Sequence, residues 1–121
     1  MFGFQPFDPE DALPPEQVRF TEVRVEPWPE DNHRVRVHIG ITPFEKRPNL
    51  DSVITDQNGE EVASISIIEA MELKLVFTMH LRIPEITGSY TLTASLSYED
   101  LNTVDERSIN FELQDNAGAQ A

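Results

Sequence analysis

From Met71 to Ile83 the chain reads M-E-L-K-L-V-F-T-M-H-L-R-I, and every odd-numbered position is a large apolar side chain. Met71, Leu73, Leu75, Phe77, Met79, Leu81 and Ile83 therefore face one way in a strand. Glu72, Lys74, Thr78, His80 and Arg82 face the other way, with Val76 the one apolar intruder. At about 3.3 Å per residue the run would span roughly 40 Å, longer than most strands, which predicts a bend or bulge within it. A strand with one wet face needs a second apolar sheet over the other.

The rest of the chain offers such strands. Val35, Val37, Ile39 and Ile41 alternate with Arg34, Arg36, His38 and Gly40 until Pro43 stops the run. Val18 to Val25 is also extended, but Val18 and Phe20 share one phase and Val23 and Val25 the other. One extra residue near Thr21 or Glu22 reconciles them, as a β-bulge or a strand changing sheets would. Pro27-Trp28-Pro29 ends that run and Glu30-Asp31-Asn32 supplies a turn. A third short strand, Leu50 to Thr55, leads into Asp56-Gln57-Asn58-Gly59, where Asn-Gly predicts a tight hairpin turn with positive φ. Val62 to Ile68 return from it, and Ile68-Glu69-Ala70 break the chain before Met71. A short helix over Ile67 to Met71 is the one helical option. Tyr90, Leu92, Ala94, Leu96 and Tyr98 then alternate with Thr91, Thr93, Ser95 and Ser97 without a fault. Glu99-Asp100-Leu101-Asn102 turn the chain, and Ile109, Phe111 and Leu113 alternate with Ser108, Asn110 and Glu112 in a last strand.

About seven strands with frequent turn signals predict an all-β, antiparallel seven-stranded sandwich over residues 18–114. Residues 1–17 are rich in proline and acid, which excludes a regular helix or an inner strand. Yet this arm carries Phe2, Phe4, Phe7 and Leu13, and so is expected to lie over its own domain as an irregular cover, or else to dock on a partner or a second copy. Residues 115–121 read as a disordered tail.

Ile83-Pro84 followed by Gly88-Ser89-Tyr90-Thr91-Leu92-Thr93-Ala94 resembles a passage of immunoglobulin-like and fibronectin-III-like domains, where a proline closes one strand and Gly-x-Tyr-x-Leu opens the next. The resemblance implies an immunoglobulin-like β-sandwich. It places Tyr90 where a corner tyrosine bonds backbone across the turn. There is no cysteine pair and no tryptophan in the third strand, since Trp28 ends the first; an antibody-like domain is thereby excluded, while a fibronectin-like or general bacterial one is not. Such a likeness speaks of fold and not of activity.

Composition narrows the functions. The 121 residues suit one domain with a single core. With 22 acidic against 9 basic residues, a net charge of −13, neither a nucleic acid nor an anionic membrane is an expected partner. Absence of cysteine rules out disulfides and thiolate metal sites. No signal-like leader or long apolar run occurs, so the chain is expected to be cytoplasmic, with a secreted or cell-surface protein already stripped of its signal peptide as the alternative.

Catalytic signatures are missing: no G-x-S-x-G, G-x-x-x-x-G-K, H-E-x-x-H or G-x-G-x-x-G occurs. Asp56-Gln57-Asn58-Gly59-Glu60 lacks the acidic spacing of a calcium loop and reads as a turn. His33, His38 and His80 are the only candidates for a neutral-pH base or zinc, and a flat sheet face would give them neither a third ligand nor shelter. No cofactor is expected. Arg34, Arg36 and His38 with Lys74, His80 and Arg82 predict a basic stripe on one outer face, neutralised across strands by Glu22, Glu26 and Glu72 or serving to dock an acidic partner. Thr91, Thr93, Ser95, Ser97, Ser108 and Asn110 predict an uncharged hydroxyl face on the other sheet, suited to a homodimer or, with flanking aromatics, to sugar. Tyr98 belongs to the core by phase, and Trp28 reads as a lid. The expected function is a non-enzymatic interaction module, contacting a protein partner or itself; a carbohydrate-binding module is the alternative.

Overall fold

The computed structural model describes residues 9–29, 31–82 and 87–113. Among them the chain forms β1 (Phe20–Trp28), β2 (Asp31–Ile41), β3 (Asn49–Thr55), β4 (Glu61–Ile67), β5 (Lys74–His80), β6 (Gly88–Tyr98) and β7 (Asn102–Leu113), after two 3₁₀ turns at Pro9–Asp11 and Pro15–Gln17. Two sheets result, β1-β2-β5 and β4-β3-β6-β7, and every neighbouring pair is antiparallel. The alternation read along β2 and β6 is what closes them. Val35, Val37, Ile39 and Ile41 of β2 lie in one core with Leu50 and Ile54 of β3 and Leu92, Ala94 and Leu96 of β6. This is an immunoglobulin-like sandwich. Its fourth strand pairs with the third, not the fifth, whereas constant immunoglobulin domains set the fourth beside the fifth.

The expected bulge is at Thr21. Phe20 pairs with Ile41 and Glu22 with Gly40, so Thr21 is the extra residue, and Val23 and Val25 turn inward after it. Before the bulge the strand leans on the other sheet: the Phe20 N–H donates to Asp105 Oδ2 at 2.9 Å, and Arg107 Nη2 donates to Phe20 O at 2.7 Å. The corner tyrosine is also in place, with the Tyr90 hydroxyl donating to Thr87 O at 3.2 Å. In the β3–β4 hairpin only Gly59 takes positive φ, at 82°. Gly59 N–H bonds Asp56 O, while the Asp56 carboxylate accepts from the N–H of Asn58 and Glu60. The turn is therefore a type I turn with a glycine bulge rather than a two-residue Asn-Gly turn.

Several expectations change. The long strand over Met71 to Ile83 shrinks to Lys74–His80, because its neighbour β2 ends at Ile41 and offers Leu73 only one last bond, Ile41 N–H to Leu73 O. Met71 is 49% exposed rather than inward, and Ile83 lies outside the described residues. Residues 68–70 bend without forming a helix. β1 runs on through Pro27 to Trp28, which an edge strand tolerates because its outer N–H has no ladder partner to lose. β7 begins at Asn102, earlier than its apolar alternation, since an edge strand carries charge without loss of pairing. In the arm, Leu13 bridges to Phe44, taking 3.1 Å and 2.9 Å bonds with Pro43 O and the Glu45 N–H. Phe2, Phe4, Phe7 and the 115–121 tail lie outside the described residues.

Candidate functional site

Alternation along β1, β2 and β5 sends Glu22, Arg24, Glu26 and Trp28, then Arg34, Arg36 and His38, then Lys74, Val76, Thr78 and His80 to one outer face. Cross-strand neighbours there are Arg24 with His38, Glu26 with Arg36, Arg34 with His80, and His38 with Val76. Five of the six basic-stripe residues thus share a face. Arg82 leaves it: its N–H donates to Val62 O of β4 at 2.9 Å and its guanidinium lies 3.7 Å from Glu61.

The stripe is largely neutralised within itself. Arg34 Nε is 2.7 Å from Asp31, while His38 Nε2 and Arg36 Nη1 lie 2.9 Å and 3.8 Å from the same Glu26 oxygen. The hydrogen bond from His38, helped by the Arg36 charge, holds the Glu26 carboxyl below the usual range. The His33 N–H and the Arg34 guanidinium do the same for Asp31. Trp28 is not a lid on the core. Its ring lies on this outer face under two guanidinium groups, Arg34 at 4.2 Å and Arg36 at 4.7 Å from the ring centroid. Lys74 and His80 have no ion-pair partner among the described residues.

The histidines do not converge. His80 stands opposite Arg34 and His38 opposite Val76, four residues along the ladder, roughly 13 Å. His33 sits 3.8 Å from Asp31. Among the described residues no group of three metal-binding side chains exists. On the other sheet the hydroxyl face satisfies itself: Thr91 donates to Asn110, Thr93 pairs with Ser108, and Ser95 donates to Glu106. A cleft of about 440 Å³ opens at one end of the sandwich, lined by Lys46, Arg47 and Asn49, Ile68 and Glu69, and Tyr98 to Asp100. Lys46 and Asp100 pair across it at 3.7 Å, and Tyr98 is tied inward by a 2.8 Å bond to Lys46 O. No nucleophile with an adjacent base lines it.

Sequence reasoning passed over the apolar surface along residues 68–76. Ile68 is 71% exposed and Val76 58%, with Met71 at 49%. Val76 had a visible signal, as the one break in the alternation of its strand.

Among the described residues no helix is long and apolar enough to cross a membrane. No protein-family model and no curated protein matches the sequence. Solved structures do resemble it. A β-glucuronidase from Bifidobacterium dentium, solved with coumarin-3-O-glucuronide, matches 82% of this chain with a TM-score of 0.63 and 16% identity. A glycosyl hydrolase family 2 member from Bacteroides cellulosilyticus matches 78% with a TM-score of 0.59 and 18% identity. A β-glucuronidase from Ruminococcus gnavus matches 82% with a TM-score of 0.54 and 11% identity. The chain spans only 18%, 14% and 16% of those three proteins. At such identity the likeness is one of fold: a β-sandwich that also occurs as a small part of much larger enzymes.

Proposed function

We propose that this chain is a non-catalytic contact module that binds protein through the β5 side of its smaller sheet. The observation that carries this reading is the three exposed apolar side chains Ile68, Met71 and Val76 on the stretch that leads into β5, a strand without a carboxylate on a protein of net charge −13. Exposed apolar surface gathered on one stretch costs solubility unless a partner covers it. The two outer faces support the same reading, because their charges and hydroxyls are spent on each other. Cross-linking of the full chain in its native extract, followed by mass spectrometry, tests it: cross-links to protein are expected from Lys74 and not from Lys46. Protein cross-links confined to Lys46 would overturn it.

A second reading is an accessory domain of a sugar-active protein, favoured by the glycosyl hydrolase setting of the similar structures. It predicts binding on a glycan array that depends on Trp28. The two arginines over that ring argue for contact with protein instead.

A further inference from the structure

The smaller sheet ends in an unpaired strand. Ile41 N–H to Leu73 O and Leu81 N–H to His33 O fix which backbone groups of β5 face β2. They are those of the odd residues, because hydrogen-bonded and non-bonded pairs alternate along an antiparallel ladder. The N–H and C=O groups of Lys74, Val76, Thr78 and His80 therefore point to the open rim, and no hydrogen bond reaches them among the described residues. Arg82 marks where the rim closes, its N–H taken by Val62 O. Val76, at the middle of this rim, is 58% exposed, and the inward-facing Leu75 and Phe77 beside it are only half-buried.

Charge selects the occupant. Of the four outer strands, β1 carries Glu22 and Glu26, β4 carries Glu61, and β7 carries Asp105, Glu106 and Glu112, while β5 has no carboxylate and one lysine. Two copies of a chain of net charge −13 repel each other over most approaches, and β5 is the rim where carboxylates do not meet. The strand is also self-complementary. Set antiparallel to itself about Val76, it places Val76 on Val76 and Lys74 on Thr78, so no like charges stand opposite one another. Sliding the register by one pair sets Lys74 against His80 or leaves Val76 opposite Lys74.

Resting on the reading of the chain as a contact module, we propose that its partner is a second copy, paired β5 to β5 across a two-fold axis at Val76 into one continuous six-stranded sheet. Rim amides gain partners and the exposed valines cover each other.

The chain has no cysteine, so one introduced thiol can cross-link only to another copy. At a bonded antiparallel pair the two Cα atoms are about 5.5 Å apart, within disulfide reach. The full chain is expected to show a concentration-dependent monomer–dimer equilibrium by sedimentation velocity. Val76→Lys is expected to weaken it at least tenfold without lowering the melting temperature measured at a dilution where the wild type is monomeric. Val76→Cys is expected to oxidise to a covalent dimer under mild conditions, at least tenfold faster than Ser64→Cys on the exposed β4 edge. A wild-type chain monomeric at millimolar concentration overturns the proposal, as does dimerisation indifferent to Val76→Lys, or equal oxidation rates for the two cysteines. A monomer that still cross-links through Lys74 to a different protein overturns only the choice of a second copy, and leaves the contact-module reading standing.

Discussion

Tyr98 is buried to 6% exposure, with its hydroxyl donating to Lys46 O at 2.8 Å, and burial pushes its pKa up to about 12. A folded value raised above the usual value near 10 means that the native state holds its proton after the unfolded chain has lost it. Stability is therefore complete below about pH 10 and falls as pH rises toward 12, by up to about 3 kcal/mol. Tyr98→Phe is expected to lose about 1 kcal/mol at neutral pH, with the hydroxyl bond, and to fall less steeply than the wild type across that alkaline window, the remaining slope coming from Tyr90, which burial also pushes up. Urea unfolding at several pH values separates the two effects. Glu26 works with the opposite sign. Its carboxyl is held below the ordinary range by the bond from His38, so its contribution is present above that range and disappears as pH falls through the lowered value. Acid titration of Glu26→Gln is expected to show a shallower loss of stability than the wild type below the usual glutamate range.

At the scale of elements, the Thr21 bulge and Gly40 form one device. A Cβ at Gly40 would run into Thr21 Oγ1 and lie 3.2 Å from Glu22 Cβ and 3.3 Å from Glu22 N. The glycine is what lets the doubled-over strand lie close to β2 while the chain changes phase. Gly40→Ala is expected to destabilise by about 1–3 kcal/mol through overpacking. Adding Thr21→Ala is expected to recover part of that loss, while Thr21→Ala alone stays near neutral; thermal melts of the three variants make the comparison. β5 shows how far an element depends on its neighbour. Its apolar period continues to Leu81, whose N–H still donates to His33 O of β2, but the ladder ends there because the next residue, Arg82, gives its N–H to Val62 O of β4 in the other sheet.

For the whole molecule, the core is shared by both sheets and finished by the arm. Leu13 packs against it, bonded to the β2–β3 connection next to Phe44, which is 6% exposed. The expectation that the arm covers its own domain holds for this residue. Leu13→Ala is expected to cost about 1–2 kcal/mol, less than a fully buried leucine because the site is half-open, and a shift in the urea midpoint at unchanged slope checks it. On both outer faces, outward side chains meet the residue across the strand, as Glu26 meets Arg36 and Thr93 meets Ser108, whereas Ser52 of β3 is buried.

The sequence by itself determined the class of fold, the inward set of β2 and β6 and the phase slip at Thr21, because a period of two and a hydrophobic face are local properties, and the resemblance to immunoglobulin-like domains placed Tyr90 at its corner. The sequence also set Arg34, Arg36 and His38 on one side of their strand and Lys74 and His80 on one side of theirs, since side-chain direction follows from counting along a strand. Only the tertiary structure decided which strands are neighbours, hence that β4 joins β3, that His38 and His80 stand four residues apart, and that Arg82 turns away to Glu61. It also put Trp28 under two arginines and left Val76 on a rim. These depend on register and on where a neighbouring strand ends, which are long-range pairings that no single strand encodes.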